Sequence, residues 1–113
     1  MYGESLAIEQ QLGNRAGVAQ TLHQLGMLAQ DQGEYDEARR LYAESLAIKQ
    51  QLGDRAGVAT TLAQLALLEE AEGNVPRALE LIRQAEAIFT DLHSPMAAQA
   101  RRDRERLEGL STD

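Results

Sequence analysis

The chain has 113 residues, a formal net charge of −7 and no cysteine. Its 43 % apolar and 4 % aromatic content, interrupted by only two prolines, is typical of a helical protein. The negative charge argues against a nucleic-acid partner, because phosphate binding needs a concentrated positive face. The missing cysteines exclude a disulfide framework and a thiolate metal site, and they fit a cytoplasmic protein. No apolar run approaches the roughly 18 residues that span a bilayer, so we expect a soluble protein without a membrane partner.

A period of 40 residues organises the chain. The segment from Glu44 to Gly73 repeats the segment from Glu4 to Gly33, and 22 of the 40 positions from Glu4 to Ala43 are identical to the residue 40 positions later. Such a period indicates a repeat array, in which each unit buries its apolar face against its neighbours rather than in one globular core. We therefore expect stability to be local and roughly additive.

Six helices are predicted in chain order. The first covers residues 1–12, carries Tyr2 and Leu6, and ends at Gly13. In the following segments apolar residues recur at helical spacing, which indicates one buried face per helix. Inner and outer helices are expected to alternate, and the remaining five cover residues 15–32, 35–52, 55–72, 75–92 and 95–108.

The two ends of the array are predicted to differ. Arg102 and Glu105 stand where the preceding inner helix has Leu62 and Leu65, and they leave a packing face of Met96, Ala97, Ala100 and Leu107. Because a terminal helix needs a polar outer surface, we interpret residues 94–110 as a capping helix and 111–113 as a tail.

At the N-terminus, residues 1–13 form an outer helix without an inner partner, and two repeats follow at 14–53 and 54–93. We expect either that the chain is part of a longer array or that a second copy covers the face with Tyr2 and Leu6.

The helix pairs resemble the tetratricopeptide repeat, whose pattern places Trp, Leu, Gly and Tyr on the first helix and Ala and Phe on the second. The matching residues of the first copy are Leu22, Leu25, Gly26, Ala29, Ala38 and Tyr42, and those of the second are Leu62, Leu65, Ala66, Glu69, Ala78 and Ile82. Gln50 and Thr90 replace the usual proline, and the outer helices run on, which accounts for the longer period. This variant is similar to the repeats of kinesin light chains, of polarity and spindle-orientation adaptors, and of bacterial signalling regulators.

The resemblance implies an all-α fold, a right-handed superhelix of antiparallel helix pairs with about two and a half repeats. It also implies a non-catalytic scaffold that binds a protein or peptide in the concave groove lined by the inner helices. The residues expected on that side are Gln20, His23, Gln24, Met27, Gln30, Thr60, Gln64, Leu67, Arg104 and Leu107.

Two rows on that side have alternative interpretations. Gln24, Gln64 and Arg104 occupy a position that in the family hydrogen-bonds the backbone of an extended peptide, and glutamine both donates and accepts. Glutamine is equally a soluble helix former on a wet face. Met27, Leu67 and Leu107 form an apolar row, which marks either a groove or residues half-buried against neighbouring helices.

Signals for catalysis and metal binding are missing from the sequence. His23 and His93 lie 70 residues apart, and neither has a second ligand at i+3 or i+4, so we interpret both as surface residues and predict no metal and no cofactor. No G-x-S-x-G, H-E-x-x-H or phosphate loop occurs, and we expect no enzymatic activity. Two alternatives to peptide binding are a homodimer formed through Tyr2 and Leu6, and a sensing or spacer segment of a larger signalling or transcriptional regulator.

Overall fold

A computed structural model of the chain describes residues 14–111. Five helices follow one another in that range: α1 (Arg15–Asp31), α2 (Tyr35–Leu52), α3 (Arg55–Ala71), α4 (Val75–Asp91) and α5 (Met96–Ser111). No strand occurs between residues 14 and 111, and the predicted all-α class is confirmed. The last helix continues to Ser111 instead of ending near residue 108. The helix predicted over residues 1–12, with Tyr2 and Leu6, lies outside the described residues.

The helices form two compact units, the first ending at Asp54 and the second beginning at Arg55. In the first unit α1 and α2 pack as an antiparallel pair, and the hydroxyl of Ser45 in α2 donates a hydrogen bond of 2.7 Å to the carbonyl of Ala19 in α1. In the second unit α4 packs against both α3 and α5. Arg55 at the start of α3 pairs with Asp91 at the end of α4 at 2.7 Å, as an antiparallel arrangement requires.

Asparagine side chains cap the first residues of α1 and α4. The side-chain oxygen of Asn14 accepts a hydrogen bond of 2.9 Å from the backbone N–H of Gly17, at the start of α1. Asn74 accepts one of 3.3 Å from the N–H of Arg77, at the start of α4. Each cap satisfies a donor that has no partner within its helix.

The core of each unit is built around close helix crossings. Ala38 and Tyr42 of α2 are fully buried, and so are Ala78 and Ile82 at the equivalent positions of α4. The small residues let the helix backbones approach, and the large ones fill the space beside them. No helix within residues 14–111 combines the length and the apolar character needed to cross a membrane.

Three of the turns place a glycine in the left-handed region, with φ of 78° at Gly33, 70° at Gly53 and 83° at Gly73. A side chain is strained in that conformation, so Gly53→Ala should lower the free energy of unfolding by about 1 kcal/mol. Gly53→Asn is the matched variant and should cost less, because asparagine tolerates the left-handed region. Urea denaturation followed by circular dichroism measures both, and equal stability of Gly53→Ala and the parent chain would contradict the prediction.

Candidate functional site

A solvent-facing strip runs along α1. Gln20, Gln24 and Met27 follow one another at i, i+4 and i+7, so they share one face of the helix. Both glutamines are exposed, and Met27 is 43 % exposed. We call these three residues the α1 strip. Gln30 lies beside the strip but is half-buried, because its side-chain oxygen accepts a hydrogen bond of 2.7 Å from the hydroxyl of Tyr42.

The equivalent residues of α3 are more covered. Thr60, Gln64 and Leu67 are all half-buried in the second unit. The hydroxyl of Thr60 donates a hydrogen bond of 2.9 Å to the carbonyl of Ala56, one turn earlier, which uses its donor within the helix. The two copies therefore present the same positions differently, and α1 exposes its polar groups to solvent more than α3 does.

His23 is buried, which makes the prediction of a surface histidine on the concave side wrong. The residue is 5 % exposed, and its ring centroid lies 5.4 Å from that of Tyr42, with 55° between the ring planes. The physical reason is the space beside Gly26, which admits the Tyr42 ring between the helices and gives the imidazole an aromatic surface to pack on. Burial and then the positive charge of Lys49 lower the pKa of His23 from 6.5 to about 4, so the ring is neutral near pH 7.

The surroundings of His23 are unusually polar for a helix crossing. Lys49 of α2 is 4 % exposed, and burial lowers its pKa while Asp54 opposes that shift. Burial and then the carboxylate of Asp31 raise the pKa of Tyr42 to about 12. We call His23, Tyr42, Ser45 and Lys49 the polar cluster of the first pair. The equivalent residues of the second unit are Ala63, Ile82, Ala85 and Phe89.

Leu107 belongs to the core, in agreement with its place on the predicted packing face of the last helix, and its prediction as a residue of the binding groove is wrong. Its side chain is fully buried, and Ala100 and Leu107 are the two buried positions of α5. Since α5 has few apolar residues, its one large buried side chain is needed to hold the helix against the rest of the second unit. Met96 also departs from the predicted packing face, because it is half exposed at the first residue of α5.

Arg104 is engaged by neighbouring carboxylates. Its guanidinium forms a two-pronged pair with Glu86 of α4, in which Nη2 lies 3.3 Å from Oε2, and its Nη1 lies 3.0 Å from Oε1 of Glu108. Each of the three guanidinium nitrogens of Arg104 thus donates to a protein carboxylate, and such charge-assisted bonds are the strong ones. The predicted row of Gln24, Gln64 and Arg104 therefore does not share one environment.

Other carboxylates of the second unit are also paired with arginines. Arg106 of α5 pairs with Glu70 of α3 and lies 3.4 Å from Asp103, and Arg83 lies 3.2 Å from Glu108. Residues 14–111 contain no group of three or more His, Cys, Asp or Glu side chains placed to hold a metal ion.

A second feature of the first unit was not singled out from the sequence. A cavity of about 390 Å³ opens between α1 and α2, and its lining combines apolar residues such as Leu25, Leu28 and Leu41 with charged ones such as Glu37 and Arg40. Leu28 is 49 % exposed, whereas Leu68 at the equivalent position of α3 is fully buried. The signal in the sequence is Leu28 itself, an apolar residue that lies outside the helix face carrying the buried Val18, Leu22 and Ala29.

Comparisons with known proteins agree with this architecture. A family model described as tetratricopeptide repeat matches residues 1–51 and 17–91. Among solved structures, the crystal structure of BtubC (BKLC) from P. vanneervenii is similar, with a TM-score of 0.87 and 24 % identity over 99 % of this chain and 48 % of that chain. The chain thus spans about half the length of BtubC, and at this identity the likeness concerns the fold. None of the curated proteins matches the chain.

Proposed function

Because the chain belongs to the tetratricopeptide repeat family, whose repeats generally mediate protein–protein interaction, we propose that it is a non-catalytic module that holds an extended peptide along the α1 strip. The observation that carries the proposal is the strip itself, in which Gln20 and Gln24 are exposed beside the partly exposed Met27.

The spacing of the strip suits an extended peptide. Residues four apart on a helix are separated by about 6 Å along its axis, since the rise is about 1.5 Å per residue. Alternate residues of an extended strand repeat at roughly 6.7 Å and present their backbone groups at the same interval. Gln20 and Gln24 each donate and accept, so both can pair with peptide N–H and C=O groups. Met27 adds a flexible apolar surface for one side chain of the peptide.

The strip therefore fits a short peptide, and the peptide residues opposite Gln20 and Gln24 need not be charged. Three residues form a small contact area, so the affinity for a short linear peptide should be roughly micromolar or weaker.

An array of capped ten-residue peptides, probed with the full chain, tests this proposal. The tightest peptide is then measured by fluorescence anisotropy against Gln20→Ala, Gln24→Ala and Met27→Ala. Each variant should weaken binding about fivefold, the effect of losing one contact worth about 1 kcal/mol. Gln84→Ala is the matched control, because Gln84 is an exposed glutamine on α4. Unchanged binding in all three strip variants, with folding intact by circular dichroism, would remove the α1 strip as the site.

Of the other two predicted groove positions, Gln64 can be tested in the same binding measurement and Arg104 cannot. Gln64→Ala tests whether this half-buried residue of α3 contributes to peptide binding. Arg104→Ala is unsuitable as a binding variant, because it removes the ion pairs with Glu86 and Glu108 and so changes stability as well.

Three finer predictions from the sequence stay proposals. The cytoplasmic location is supported by the absence of cysteine, and homodimerisation would use Tyr2 and Leu6. The segment would serve as a sensing or spacer region if the full-length protein carried an enzymatic or DNA-binding domain.

A further inference from the structure

The turn between α4 and α5 contains an unusual backbone conformation. His93 has a φ of 55°, and within residues 14–111 it is the one residue other than glycine with a positive φ. Gly33, Gly53 and Gly73 occupy the equivalent place in the three other turns. A Cβ atom in the left-handed region is crowded by the backbone, and the exposed imidazole gains little packing in return. The turn that folds α5 back onto its own chain is therefore strained.

The last helix is attached to the second unit by little apolar surface. Ala100 and Leu107 are the two buried residues of α5, whereas α3 and α4 each bury more. Three ion pairs also join α5 to the other two helices, namely Arg104 with Glu86, Arg106 with Glu70, and Arg83 with Glu108. Ion pairs near the surface contribute little net stability. Release of α5 should therefore cost less than release of either of the other helices.

We propose that two copies of the chain exchange α5, so that the last helix of each copy packs on α3 and α4 of the other. The contacts of α5 are then made again, because the second copy presents the same Glu86 and Glu70 and the same apolar surface. The segment between α4 and α5 crosses to the other copy and no longer turns back. Both copies thus leave the left-handed conformation at His93, so the exchange relieves strain while it keeps the contacts between helices.

The segment that links α4 and α5 suits such a crossing. Because α4 ends at Asp91 and α5 begins at Met96, residues 92–95 form the link. Ser94 precedes Pro95, and the proline ring disfavours the helical conformation at the residue before it. The two helices therefore do not merge into one when the turn opens, and the link can extend over about 13 Å.

Opening the turn breaks few hydrogen bonds. In the closed turn the backbone N–H of Ser94 donates to the carbonyl of Phe89 at 2.9 Å, and that of His93 donates to the carbonyl of Thr90 at 3.0 Å. His93 is exposed, so water can reach this part of the link and replace such bonds at a small net cost. The cap of α5, in which Ser94 Oγ accepts from the N–H of Met96 at 3.1 Å, lies beyond His93 and can stay in place.

The exchanged dimer differs from a dimer formed through Tyr2 and Leu6, because it uses the opposite end of the chain. It carries two copies of the α1 strip, and a partner with two peptide segments would therefore bind it more tightly than it binds one copy. That consequence rests on the proposed function, whereas the exchange itself does not.

Charge reversal in the full chain tests the exchange directly. In Arg104→Glu and in Glu86→Arg, positions 104 and 86 carry like charges, both within one chain and in an exchanged dimer of a single variant. When the two variants are unfolded in urea, mixed and refolded together, each interface of the exchanged heterodimer joins one acidic and one basic residue. Native mass spectrometry, with one variant labelled with ¹⁵N, should show about tenfold more heterodimer than either homodimer.

The contribution of the turn is measured separately. Sedimentation equilibrium of the parent chain, refolded at a series of concentrations, gives the dimer association constant. His93→Gly should lower that constant roughly 25-fold, about fivefold for each of the two turns that are no longer strained. His93→Ala is the matched control, since it keeps a Cβ atom and removes the imidazole, and it should associate as the parent chain does.

Three results would overturn the proposal. The first is a mixture of the charge variants that stays monomeric, and the second is one in which homodimers and heterodimers form at random, as expected for association through Tyr2 and Leu6. The third is an equal association constant for His93→Gly and the parent chain. Since no peptide is present, each of these results leaves the α1 strip to its own binding measurement. An exchanged dimer that binds no peptide would support this inference and contradict the proposed function.

Discussion

Leu107→Ala should lower the free energy of unfolding of the second unit by about 2 to 5 kcal/mol, the range measured when a buried leucine is cut to alanine. Leu107 is fully buried, and Ala100 is the other buried residue of α5. Because α5 has little other buried apolar surface, the lower stability should appear as local unfolding of α5 before α3 and α4 unfold.

Hydrogen exchange measured by mass spectrometry, together with urea denaturation, resolves that local step. Amides of α5 should lose protection in Leu107→Ala, whereas the exposed Leu110 provides a matched leucine-to-alanine control that should change stability by less than about 0.5 kcal/mol. Equal stability of the two variants would contradict the assignment of Leu107 to the core.

Gly26→Ala should destabilise the first pair, although alanine normally favours a helix. A Cβ atom at position 26 would lie 2.7 Å from Cε1 and 2.8 Å from Cδ1 of Tyr42, a fully buried ring. Overpacking of this kind costs about 1 to 3 kcal/mol, and the higher helix propensity of alanine returns at most about 1 kcal/mol.

Gly26→Ala should stabilise the first pair, instead of destabilising it, when Tyr42 is also replaced by a smaller residue. The second unit combines Ala66 with Ile82 at the same crossing, and both are fully buried. In a Tyr42→Ile background, Gly26→Ala should therefore stabilise, with a coupling energy on the order of 2 kcal/mol in a double-mutant cycle. Gly109→Ala is the control for propensity alone, because a Cβ there would meet nothing within 4 Å. The same sign for Gly26→Ala in both backgrounds would refute the steric explanation.

The fold could be predicted from the sequence because its signals are local. The period of 40 residues and the apolar stripes depend on residues a few positions apart, and they predicted each helix from residue 15 onwards to within a few residues. The exposure of Gln20 and Gln24 was predictable for the same reason, since their face of α1 carries no stripe. Whether a peptide binds there is a separate matter that periodicity does not address.

The burial of His23 and the engagement of Arg104 depend on contacts between helices. His23 is covered because Tyr42 lies across the space at Gly26, and Arg104 meets Glu86 from a position 18 residues away. The residue pattern of a single helix does not predict such contacts between helices. A comparison of the two copies indicates one of them, since His23, Gly26 and Tyr42 are all replaced by different residues in the second copy.

Gly26 packs against Tyr42 in the first copy, and Ala66 occupies the equivalent position opposite Ile82 in the second. These pairs limit where recombination between the two copies gives a well-packed product. Recombination within the turn between the paired helices would set alanine against tyrosine in one product and glycine against isoleucine in the other. The first product is overpacked and the second contains a void. Sequence identity between the copies is concentrated before residue 26, so crossovers guided by that identity would transfer both members of a crossing together. An unequal exchange within that nearly identical segment would add or remove a repeat and keep each large side chain with the small residue that it packs against.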